Sequence, residues 1–184
     1  MRKVILQFGL LAGAIVSVLM LLNMALWDKG VLNFDSAELV GYATMVIALS
    51  MVFFGIKSYR DNHQNGAIKF GKGLQVGLLI TLIASLMYAT TWEAYYQTNP
   101  NVQAHLDKYT EHYLNKLKES GASPAELEQQ VKKMADLKEM YKNPVLRFGF
   151  TLMEILPVGI ILALISAAVL RRKETLPALE PAES

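Results

Sequence analysis

Cysteine is absent from these 184 residues, and with it go disulfides, thiolate metal sites, iron–sulfur clusters and cysteine nucleophiles. Charge of one sign is scarce as well. The formal net charge of +2 is too small for a nucleic-acid surface, which needs Lys and Arg clustered on one accessible face. No GxSxG elbow, serine–lysine motif, Walker loop or dinucleotide glycine pattern occurs, so an enzyme reading has no motif to stand on and no cofactor is indicated. Histidine is rare, with three in the chain. His105 and His112, seven residues apart with Glu111 adjacent, do not share one helical turn and are not expected to hold a metal.

What the chain has instead is apolar length. Hydrophobic residues make up 53% of it and the mean hydropathy is +0.28, high for a soluble domain whose surface must be mostly polar. The excess lies in four runs, about 4–27, 39–56, 74–92 and 145–170. As a helix, the 24 uncharged residues from Val4 to Trp27 extend about 36 Å, enough to cross a bilayer. That run exceeds the apolar core of a cleavable signal peptide, so it reads as a retained anchor. The fold class expected is all-α: a polytopic membrane domain over 1–173 with four transmembrane helices, followed by a disordered tail from Glu174 to Ser184.

Between the third and fourth runs, residues 99–143 have the pattern of an αα-hairpin. Val102, Leu106, Tyr109, Tyr113 and Leu117 form one apolar stripe, and Leu127, Val131, Met134 and Tyr141 a second. Gly121 separates the two, and Ser123 through Glu126 spell a capping box. A second box, with Asp35 as the cap, is expected before the second span. Topology follows from the cations beside the spans. Arg2, Lys3, Lys57, Arg60, Lys69, Lys72 and Arg171 to Lys173 fall on one side of a four-span chain, which places both termini in the cytoplasm. The seven lysines of residues 97–143 oppose that orientation, but most of them lie farther from the spans.

One carboxylate stands where a span should hold none. Glu154 lies about 9 Å along the helix from Phe148, where a charge costs at least about 2.5–3.5 kcal/mol on insertion scales. Arg147, Thr151 and Glu154 share a helical stripe, and Pro157 removes a hydrogen bond just beyond it. The topology puts Asn23, Tyr42, Thr44, Tyr88 and Thr91 at similar depth, so a buried polar cluster is expected around Glu154. The simplest role for such a cluster is to glue helices together, with Glu154 hydrogen-bonded and inert. Glu93 and Arg147 are expected to pair in wet surroundings, contributing about 0–1 kcal/mol. Two small-residue faces, Gly9–Gly13–Ser17 and Gly159–Ala163–Ala167, permit close helix packing, including self-association into a homo-oligomer.

Taken together, Gly55-Ile-Lys57-Ser-Tyr59-Arg60, Phe70-Gly71, Tyr88 with Trp92, and Met153-Glu154-Ile-Leu-Pro157-Val-Gly159 resemble the bacterial domain-of-unknown-function family DUF4199. The resemblance implies a four-span membrane protein with a soluble segment before the last span, and no established activity. The function expected is a structural or interaction component of the bacterial envelope, with the lipid bilayer around it and a protein partner on the hairpin at 101–142. The alternative is a small transporter or channel component built on Glu154.

Overall fold

A computed structural model describes residues 1–172, and their side chains except those at 34–35 and 103–105. The expected disordered tail and the His105 side chain lie outside what is described. Among the described residues seven helices follow one another: α1 (Arg2–Asp28), α2 (Phe34–Leu49), α3 (Met51–His63), α4 (Phe70–Thr98), α5 (Val102–Glu119), α6 (Pro124–Lys142) and α7 (Pro144–Leu170). Only Ser50 separates α2 from α3, and it keeps helical dihedrals (φ −58°, ψ −22°). Its hydroxyl donates to the Ile47 carbonyl at 2.6 Å, a back-bond that bends helices without ending them. The pair therefore counts as one span, Ser36–His63.

Four helices are thus long and apolar enough to cross a membrane, each 27 to 29 residues. They run past the uncharged segments because polar residues at a span end can still complete helical turns. The fold is all-α among the described residues, apart from one isolated bridge between Ile68 and Arg172.

Local chemistry sets the helix starts. At α6, Ser123 Oγ accepts from Glu126 N while Glu126 Oε2 accepts from Ser123 N at 2.8 Å, a reciprocal box that satisfies two otherwise orphaned donors. Before α7, Asn143 Oδ1 accepts from Val145 N at 2.9 Å, and Pro144 fills the first turn, where its missing N–H is not needed. The second span differs from expectation. Its cap is Asn33, not Asp35: Asn33 Oδ1 accepts from Ser36 N at 2.8 Å, and Ser36 Oγ accepts from Asn33 N at 2.9 Å. The helix starts two residues earlier because Ser36 supplies the return bond to Asn33.

The centre of the bundle is α4. Both small-residue faces pack against it, which brings helix backbones close. A Cβ added at Gly9 would lie 2.8 Å from Ile83 Cβ, and one at Gly159 would lie 2.2 Å from Thr81 Cγ2. Ser17 Oγ accepts from Thr91 at 3.0 Å, and the Gly159 carbonyl accepts from Thr81 at 3.3 Å. These faces are therefore engaged within the chain. Helix α7 continues through Pro157.

Val4, Ile5, Ile56, Tyr59, Ile68 and Leu170 share one apolar cluster, so the start of α1, the end of α3 and the end of α7 meet at one end of the bundle. The cations flanking those segments collect there. At the opposite end stands the hairpin of α5 and α6, joined by an ion pair between Lys138 and Asp107.

The first stripe of that hairpin faces the bundle at its start. Val102 is buried, and Leu106 and Tyr109 turn to the bundle, while α6 buries no residue at all.

Candidate functional site

Under the hairpin, helices α1, α2, α4 and α7 leave a cavity of about 480 Å³, within the usual size range of small-molecule sites. Val16, Met20 and Asn23 from α1, Met45 from α2 and Tyr88 from α4 form its buried inner wall. Leu106 and Tyr109 of α5, with Tyr141 from α6, lie over it. The exposed lining residues Glu38, Tyr42, Tyr109 and Glu154 belong to α2, α5 and α7, so the mouth lies where those three helices meet.

The polar groups expected to form one cluster separate into three. Asn23, Tyr42, Thr44, Tyr88 and Glu154 line the cavity. Thr91 turns instead to the α1–α4 contact through Ser17. Thr151 Oγ1 donates to the Arg147 carbonyl at 3.0 Å, and Arg147 turns away from Glu154 towards Glu93. The common helical stripe put Arg147, Thr151 and Glu154 together in sequence, but each found a nearer partner or a different surface.

Arg147 is 3% exposed. Its Nε donates to Glu93 Oε2 at 2.8 Å, Nη2 donates to Glu93 Oε1, and Nη1 donates to the Tyr141 carbonyl at 2.9 Å. The guanidinium also stacks over Tyr96, 3.7 Å from the ring centre, a favourable cation–π position. The pair expected to be wet is thus sheltered by protein. Trp92 Nε1 donates to the Tyr141 hydroxyl at 2.7 Å, which ties α4 to the end of α6 beside the cavity. Burial pushes that hydroxyl up to about 12, against the lowering effect of the Trp92 bond.

Glu154 departs furthest from expectation. Its side chain is neither buried nor hydrogen-bonded: it stands at the cavity mouth, with no hydrogen-bond or ion-pair partner among the described residues. A second acceptor is also unmet. Asn23 is 6% exposed, and its amide nitrogen donates to the Ala37 carbonyl at 3.1 Å, but its Oδ1 has no partner. Buried polar atoms are satisfied in the great majority of cases, so this acceptor is open to a donor from whatever fills the cavity.

Glu38, Trp27, Trp92, Tyr109 and Tyr141 also line the cavity and were not singled out for it from sequence. Their signal was present but ambiguous, since Trp and Tyr beside a span also suit headgroup depth. No group of three or more metal-ligating side chains occurs among the described residues.

Fold and cavity together define a four-span membrane protein with an internal cavity beneath a helical hairpin. The chain belongs to the protein family of unknown function DUF4199, whose model matches residues 7–172, from the first turns of α1 to the last described residue. No curated protein and no solved structure matches it.

Proposed function

We propose that this protein is a small transporter or channel component of the bacterial inner membrane, working through Glu154, with both termini in the cytoplasm. The observation that carries the reading is the Glu154 carboxylate, within a span and bordering a cavity, without a protein partner. A purely structural carboxylate at that depth would be expected to collect donors, because polar groups inside spans are costly unless paired. The orientation draws its support from the cations gathered at the end that holds both termini.

Reconstitution into liposomes tests the proposal. Wild-type protein is expected to pass protons or monovalent cations above the empty-vesicle rate, and Glu154→Gln to abolish that flux with unchanged thermal unfolding. A variant that conducts normally, or one that merely unfolds earlier, would overturn it.

A second reading, an interaction component of the envelope, is favoured by α6. That helix buries no residue, and Val131, Leu137 and Met140 are each more than 40% exposed. A pull-down whose partners disappear on deletion of 101–142 supports this reading. Partners that ignore the deletion would sink it.

A further inference from the structure

We propose that the cavity takes an organic ammonium ion, a positively charged amine with an apolar body. The inference rests on the reading above, that the Glu154 cavity binds a solute, and adds the chemistry of that solute. Three features of the lining converge on it.

The first is sign. Glu154 and Glu38 both line the cavity, and no Lys, Arg or His does. Two unpaired carboxylates bordering one cavity favour a cation over an anion, and over a neutral molecule as well. The second is hydrogen-bonding sense. Asn23 Oδ1 is a buried acceptor without a donor, and the direction of its amide is fixed by the bond to the Ala37 carbonyl. An N–H of an ammonium ion meets that need, whereas a bare carboxylate or phosphate cannot.

The third is the character of the walls. Trp27, Tyr42, Tyr88, Trp92, Tyr109 and Tyr141 all line the cavity. Aromatic faces attract organic cations through the ring quadrupole, and less so a small, strongly hydrated metal ion that must keep its water. Val16, Met20 and Met45 supply apolar surface on the inner wall, where an alkyl or aryl body would sit. An inorganic monovalent cation would leave that surface unused. The mouth lies among three helices, two of them spans, so an amphiphilic amine has a route to the cavity from within the bilayer.

The chain has two tryptophans, and both line this cavity, so intrinsic fluorescence reports on it directly. Full-length protein in phosphatidylcholine nanodiscs, which carry no net lipid charge, is titrated with hexylammonium and, in parallel, with 1-hexanol. A saturable change in tryptophan emission is expected for hexylammonium, at concentrations about tenfold or more below those needed for hexanol. Glu154→Gln is expected to erase that preference while leaving the hexanol response in place. Asn23→Ala, which keeps both carboxylates, removes an acceptor that either probe can use and is expected to weaken both while leaving the preference for hexylammonium in place.

Equal affinity for the amine and the alcohol, or a preference that survives Glu154→Gln, would overturn the ammonium assignment while the cavity itself still binds. Failure of both compounds to saturate would instead remove the binding cavity on which the transport reading depends. Either outcome counts against the proposal, and the two are distinguishable.

Discussion

Arg147 and Glu93 are joined across α7 and α4 by a two-pronged contact, and only 4% of the arginine side chain and 18% of the glutamate side chain are exposed. The same guanidinium holds the Tyr141 carbonyl and covers Tyr96. One side chain thus fastens the last span to the third and to the end of the hairpin. Arginine suits the place because its planar fork can meet a carboxylate, a carbonyl and a ring face together, which a lysine cannot do.

Removing one member of a sheltered ion pair leaves the other uncompensated, at a cost of about 3 kcal/mol or more. Arg147→Ala is expected to lower thermal stability in detergent by that order, and Arg147→Lys to recover only part of it. Lys142, in an exposed pair with Glu139, serves as the control. Replacing Lys142 with alanine is expected to leave the unfolding midpoint where it was, since exposed pairs contribute little.

Close approach between α7 and α4 makes Gly159 intolerant of a side chain. Gly159→Ala places a methyl 2.2 Å from Thr81 Cγ2, an overlap whose relief should cost about 1–3 kcal/mol. Gly149 lies on the same helix, and a methyl added there would meet nothing within 4 Å. Gly149→Ala is expected to be neutral or slightly stabilising, because alanine favours a helix interior. Paired unfolding curves decide the matter, and equal effects at the two sites would contradict the packing described.

The start of α6 should respond to acid. Hydrogen bonds from the Ser123 backbone and hydroxyl hold the Glu126 carboxyl below the usual carboxylate range. A lowered folded-state value means that the stabilisation is fully present above the unfolded glutamate value, near 4.3, and is lost as pH falls through the folded one. Amide exchange in the first turn of α6 is expected to quicken over that acidic window. In Glu126→Gln the same window should show no change.

At the alkaline extreme, Tyr141 should ionise late. Its hydroxyl is pushed up to about 12 by burial, well above the free value near 10. Subtracting the ultraviolet titration of Tyr141→Phe from that of the wild type isolates its phenolate. A midpoint near pH 12 is expected, whereas one near 10 would mean that the hydroxyl is solvated. The raised value also signs the stability effect: this contribution is present below pH 10 and fades as pH climbs through the folded value.

Much of the architecture could be read from local pattern. Uncharged runs of span length marked out four helices, because only a helix satisfies its own backbone in hydrocarbon. Gly121 and the Ser123–Glu126 box marked the hairpin, since capping is a matter of neighbours in sequence. The Asn33 cap was missed because its return bond comes from Ser36 rather than from a glutamate or glutamine three residues on. The site was less legible, for a different reason. Whether Thr91 meets Ser17 or Glu154, and whether Arg147 meets Glu93 or Glu154, depends on how far helices rotate about their axes. That rotation is set by where Gly9, Gly13 and Gly159 let backbones approach. A cavity is what such rotations leave over, and no short motif records it.

The engagement of α4 by both small-residue faces has a consequence for biosynthesis. Thr81 meets the Gly159 carbonyl, a partner 78 residues later in the chain, and the whole hairpin is made between them. When α4 first enters the bilayer it can clasp α1 at once, but its other face has only lipid to lie against. The final helix must arrive before the cavity has its α7 wall, and Glu154 arrives with it. The protein therefore carries no complete cavity until its last span has been inserted.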